Sequence, residues 1–203
     1  MLTGPKSIPV QVQLGFIIHR NDLEIFHEEA DLIITNQTVH LMSTEIKNCV
    51  HVLCTDTDVF VLLLHYYQSE HLSGTLIMRP FNDSDPCADI GLTVQKHAEI
   101  IPHLVSLHAL THCDSVPAFH RIGKPTALKV LKQGIEPPAL GIGSLDMSKP
   151  TKFISRCYGI TSLMMNMMDA RIALWCRKIK SRSRSVKLED LPLTTECFEA
   201  NVK

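Results

Sequence analysis

Apolar and polar positions alternate from Val10 through Leu14 and then run together at Phe16-Ile17-Ile18, a pattern that predicts one or two strands before a polar turn at His19–Asp22. From Glu28 to about Met42 the apolar residues Leu32, Ile33, Val39 and Met42 fit a helix, a modest one because Thr35 and Thr38 are stiff at χ1. Cys49-Val-His-Val-Leu-Cys-Thr55 has the composition and length of a strand. Asp56-Thr-Asp58 follows, then the apolar stretch Val59–Tyr67, so the order is strand, acidic turn, helix.

Thr75–Met78 reads as a further strand, and Asn82–Pro86 as a loop built from turn-forming residues. Val94–Leu110 is helical in tendency with an interruption at Pro102. Pro125–Lys132 predicts a short helix with proline in its first turn and Gly134 just past its end. Strand and helix signals alternate, which predicts an α/β fold with a mainly parallel sheet flanked by helices. Pro137-Pro138 and Gly141-Ile-Gly143 mark a linker. The chain therefore divides into a core over residues 1–135 and a helical extension over 136–203. That extension holds two helices, Phe153–Tyr158 and Met164–Cys176, and a basic stretch, Arg177–Lys187.

Composition narrows the classes. With 20 Lys+Arg against 21 Asp+Glu and 45% hydrophobic residues among 203, the chain is neither disordered throughout nor a polycation, so any nucleic-acid contact must come from a local patch. Its seven cysteines include no C-x-x-C pair, which points to reduced thiols and an intracellular setting, cytoplasm or nucleus. The first residues have no signal-peptide core. The densest apolar run, Val59–Leu64, is far too short to span a bilayer, so no membrane role is expected.

Acids stand at the edges of the apolar segments: Glu28-Glu-Ala-Asp31, Asp56-Thr-Asp58 and Cys113-Asp114. On an extended chain residues i and i+2 point the same way, so Asp56 and Asp58 at a strand end present two carboxylates to one cleft. Glu29 and Asp31 do so in an extended entry, Glu28 and Asp31 at a helix start. Carboxylates gathered in one cleft repel unless they share a proton or a cation, and hard oxygen donors favour Mg²⁺ or Mn²⁺. Phosphodiester hydrolysis by metal-activated water is the common chemistry that needs many acids and little else. Taken singly, each cluster is an ordinary helix start or turn; together they point to a nuclease.

His27-Glu-Glu-Ala-Asp31, Thr55-Asp-Thr-Asp58 and Ala109-Leu-Thr-His-Cys-Asp114, followed by Arg121-Ile-Gly-Lys-Pro-Thr-Ala-Leu-Lys129, resemble the internal region of structure-specific 5′ nucleases. This is the flap-endonuclease/XPG group with its PIN-like fold, and the resemblance is closest to animal relatives with HEEAD, DTDV and ALTGCD motifs. It implies that Glu29, Asp31, Asp56, Asp58 and Asp114 are catalytic ligands of Mg²⁺ or Mn²⁺. It also implies that Gly123, Lys124, Lys129 and Lys132 hold the DNA backbone, as a helix start with lysines is suited to do. Asp22 is the one Asp ahead of His27, so the implied core lacks the family's usual first strand and its metal-binding Asp. His112 stands where the family has Gly.

Other readings are weaker. His108 and His112 share a helix spacing suited to zinc, but no Glu follows His108 as H-E-x-x-H requires. Gly123-Lys124-Pro-Thr126 is not a phosphate loop, because Pro125 stands where Ser or Thr must reach Mg²⁺. Arg177–Lys187 holds six basic residues in eleven and suits a nuclear-localisation or nucleic-acid arm as well as a solvated linker. Two classes follow: a Mg²⁺-dependent nuclease acting on DNA, or a catalytically inactive relative that binds nucleic acid or protein.

Overall fold

The computed structural model describes residues 2–3, 8–24, 29–44, 49–82, 84–111, 119–137, 146–162, 166–181 and 186–202. The chain forms two compact units, Met1–Ile101 and Pro102–Lys203. The division falls well ahead of the Pro137-Pro138 linker, at the start of a helix that the sequence pattern joins to the segment before it.

In the first unit, β1 (Leu2–Thr3), β2 (Val10–Gln13) and β3 (Phe16–His19) form an antiparallel sheet in that order. β2 and β3 are a hairpin in which Gln13 faces Phe16, and its two central residues, Leu14 and Gly15, have φ of 51° and 81°. Both positive angles belong to the turn that matches strand twist; glycine adopts them freely, leucine does not. The segment is therefore two strands and a tight turn, and Phe16, Ile17 and Ile18 remain exposed.

A second sheet carries the core. β4 (Cys49–Leu53) lies parallel to β5 (Thr75–Arg79), and α2 (Thr57–Ser69) makes the crossover between them. β6 (Ala88–Asp89) joins β5 antiparallel, so the order is β4-β5-β6 and the sheet is mixed where the sequence predicts one mainly parallel. α1 (Ala30–Thr44) packs against β4 and α2, and α3 (Ile90–Lys96) against α2 and β5. Alternation sets the burial: Leu76 and Met78 of β5 are buried with Val52 of β4, as are Val59, Val61, Leu63 and Leu64 of α2. The two threonines that weaken α1 on paper are buried, and each hydroxyl donates to the carbonyl four residues back, Thr35 to Asp31 and Thr38 to Ile34, both at 2.7 Å. Gly91 lets α3 close on α2, since a Cβ there would meet the Tyr67 hydroxyl at 2.8 Å.

Among the described residues the second unit is helical throughout: α4 (Ile101–Thr111), α5 (Lys124–Leu131), α6 (Ser148–Cys157), α7 (Met167–Lys180) and α8 (Thr195–Val202). Pro102 does not kink a long helix. It takes the second position of α4, where its missing N–H costs nothing, and the break from α3 lies at His97–Ile100. Phe153, Ile154, Leu174 and Phe198 are buried, with the Phe119 and Phe198 ring centroids 5.8 Å apart. The basic stretch is not simply solvated either. Arg177 donates to the carbonyls of Tyr158 and Gly159, each at 2.7 Å.

Asp190 ties this unit together. Its carboxylate lies 2.9 Å from Arg121, 3.4 Å from Lys178 and 3.5 Å from His120. Arg121 sits at φ 63°, a left-handed position that a non-glycine residue takes only when held there. Burial works against ionisation of Asp190, but the Lys178 hydrogen bond and the Arg121, Lys178 and His120 charges outweigh it and hold the carboxyl below its usual range. A depressed folded pKa adds stability that is whole above the unfolded value, about 4, and is lost as pH falls through the folded one. Urea denaturation of the wild type and Asp190→Asn is accordingly expected to show a gap in stability at pH about 5 that closes by about 2. A gap unchanged over that range would mean that the ion pairs do not stabilise the unit.

Candidate metal centre

The site begins with how β4 ends. Cys54 continues the strand through its amide, which donates to the Arg79 carbonyl at 3.0 Å. The chain then turns into α2 with Asp56 as N-cap, its side chain accepting from the Asp58 amide at 2.8 Å. Asp58 stands in the first turn of α2 and Asp31 in the first turn of α1. One carboxylate oxygen from each of Asp31, Asp56 and Asp58 lies within 4.8 Å of the other two. Asp56 is exposed, and the other two are half-buried.

The two acids of the Asp56 motif converge by a different route from the one the sequence suggests. Strand alternation is not the cause, since Asp58 is already helical; the cap bond folds the Asp56 side chain back over the first turn of α2. Asp31 joins them because α1 packs against both β4 and α2. Three carboxylates are hard donors that suit Mg²⁺ or Mn²⁺. Adjacent ligands of one octahedral Mg²⁺ stand about 3 Å apart, so the three oxygens would draw together to share an ion.

Glu29 is exposed, one residue outside α1, and its carboxylate is not among the three. Asp114 and His112 lie outside the described residues. An open pocket of about 350 Å³ lies beside Asp56, at the carboxyl ends of the parallel strands, where ligands bind in open α/β sheets. Its lining includes Cys54, Asp56, Phe60, Met78, Pro80 and Asp85. Asp85 is a fourth acid that the sequence reading assigns only to a loop. Its amide bonds to the Asn82 carbonyl at 3.2 Å as in any polar turn, so nothing local marks it.

The expected backbone-contact residues lie in the second unit. Gly123 is the N-cap of α5, with φ −103° and ordinary space for a Cβ, so glycine is not required there by conformation or by crowding. Lys124 is half-buried in the first turn, while Lys129 and Lys132 are exposed at the other end. The helix start offers amides and the lysines offer charge, which fits contact with phosphates and carries no sequence reading.

Two measurements check this geometry. Without divalent metal, Asp56→Ala is expected to cost about 1 kcal/mol of stability through loss of the cap, and Asp56→Asn much less because its amide oxygen still accepts. Saturating Mg²⁺ or Mn²⁺ is expected to raise the thermal midpoint, by about 2.7 kcal/mol of stabilisation at a hundredfold excess over Kd, and Asp58→Asn to abolish the rise. An equal rise in both proteins would place the ion elsewhere.

Comparison of the chain with protein-family models, with curated proteins and with solved structures gave no match, so what the centre does must be argued from its own geometry.

Proposed function

We propose that the protein is a Mg²⁺- or Mn²⁺-dependent phosphodiesterase acting on DNA, of the structure-specific 5′-nuclease type with a PIN-like core. One observation carries the reading: acids from two different helices, Asp31 and the pair Asp56 and Asp58, converge at the carboxyl end of a parallel strand pair, next to an open pocket. A divalent ion held there would supply an activated water and stabilise the leaving oxygen. Asp31, Asp56 and Asp58 would hold that ion, with the Asp56 carboxylate positioned by the cap bond. Glu29 and Asp114 are further ligands by resemblance. Gly123, Lys124, Lys129 and Lys132 contact the DNA backbone.

No helix among the described residues is long and apolar enough to cross a membrane. All six described cysteines are unpaired, which supports an intracellular setting, nucleus or cytoplasm.

A binding-only role is the second reading, favoured by the placement of every converging acid at a helix N-terminus. There the helix dipole and the cap bond give each acid a structural reason to exist. Cleavage separates the two. Labelled 5′-flap and single-stranded DNA are incubated with the purified chain in Mg²⁺ or Mn²⁺, beside an Asp56→Asn/Asp58→Asn variant that keeps a capping oxygen. Metal-dependent cutting is expected from the wild type, falling by at least about 100-fold in the variant. Equal cutting by both proteins, or none by either, rejects the nuclease.

A further inference from the structure

Helix α7 has two faces. Met167, Ala170 and Leu174 are buried against the rest of its unit. Nearly opposite them, Met168, Ile172, Trp175 and Ile179 are each 43–53% exposed. Their spacing of four, three and four residues places all four within about 60° of the helix circumference, at successive d, a, d and a positions of a heptad repeat. A stripe this narrow is the seam of a helix pair. A helix lying in a lipid surface needs an apolar face of 100° or more.

The borders of the stripe decide what suits it. Arg171 and Lys178 occupy the g positions along one side, and Lys180 lies beyond Cys176 on the other, where Asp169 is the one acid. Arg171 bonds to the Pro192 carbonyl and so keeps its full charge. Lys178 faces Asp190, but that carboxylate is already shared with Arg121 and His120 and does not neutralise the border. A second copy of the chain is a poor occupant. Antiparallel pairing brings the Arg171 and Lys178 of the two copies together, and parallel pairing sets their basic C-terminal turns side by side.

We propose that the outer face of α7 docks an acidic amphipathic helix of a partner protein, with apolar residues at its a and d positions and Asp or Glu beside them. This inference is independent of the metal centre. The chain has a single tryptophan and it lies in the stripe, so Trp175 fluorescence reports the site directly.

The full chain is titrated with a three-heptad synthetic peptide carrying Leu at a and d and Glu at e and g, whose glutamates keep it from pairing with itself. A Lys-for-Glu version, phosphatidylserine vesicles and sedimentation of the chain alone run beside it. The Glu peptide is expected to give a saturable blue shift of Trp175, weakened about tenfold or more in Ile172→Glu, an exposed position whose change leaves the thermal midpoint in place. Lys180→Glu is expected to weaken it by a smaller factor and to reduce its salt dependence. Equal binding of the Lys peptide, or no binding of either, overturns the proposal. So does a shift by vesicles alone, which would make the face a membrane contact. A dimer that Ile172→Glu dissociates would make it a contact between copies.

Discussion

The hydrogen bond from the Asp58 amide to the Asp56 carboxylate, 2.8 Å long, is where the fold of the first unit and its chemistry meet. It stops the strand, starts the crossover helix and fixes the position of one acid over another in a single step. The rest of the centre follows from packing. α1 must bury Ile33, Thr35, Thr38 and Met42, and the surface available is that of β4 and α2. Once it is seated there, Asp31 in its first turn has little choice of neighbourhood. The pocket next to these acids has the same origin, since the parallel pair opens at its carboxyl ends and the loop holding Asp85 contributes to its lining.

The second unit is organised differently. No sheet fixes its helices among the described residues, and a charge cluster stands in for one: Asp190 draws together the turn at Arg121, the last turn of α7 and its own short 3-10 turn. This leaves α7 with an inner face committed to packing and an outer face whose apolar residues have no role in the unit's own core. Arg171 and Lys178 direct their hydrogen bonds and ion pair inward while their charge remains at the border of the outer face. A basic run that reads as solvated is thus partly structural.

What the sequence makes legible divides along physical lines. β4, α2 and β5 are visible because β-branched and apolar runs of the right length alternate with turn residues, and burial does enforce those periods. β6 is two residues long and leaves no pattern. The hairpin turn escapes notice because it puts a leucine at positive φ, against every local preference, beside the glycine that signals it. α6 begins at Ser148, five residues before its first large apolar residue, Phe153, so periodicity finds only its second half. In the site, the meeting of Asp56 and Asp58 is readable but its cause is not, because a helix that starts at Thr57 replaces strand alternation with capping. Asp85 is unreadable, since its nearness to Asp56 depends on how the strand ends are arranged and not on anything beside it in the chain.

Magnitudes bear on whether the acids are there only to start helices. A carboxylate at a helix N-terminus gains about 0.3–1 kcal/mol from the dipole. Two like charges no more than 4.8 Å apart repel by at least about 0.9 kcal/mol in water-like surroundings and about 3.5 at an effective dielectric of 20. Two helix starts therefore call for one acid each, and the third adds two more repulsive pairs for the surroundings to balance. A doubly charged cation among them reverses the sign of the balance. Helix initiation alone would be served as well by Ser or Thr at the cap, without the repulsion. A third carboxylate is thus more than two helix starts call for, and the three acids together could hold a metal ion.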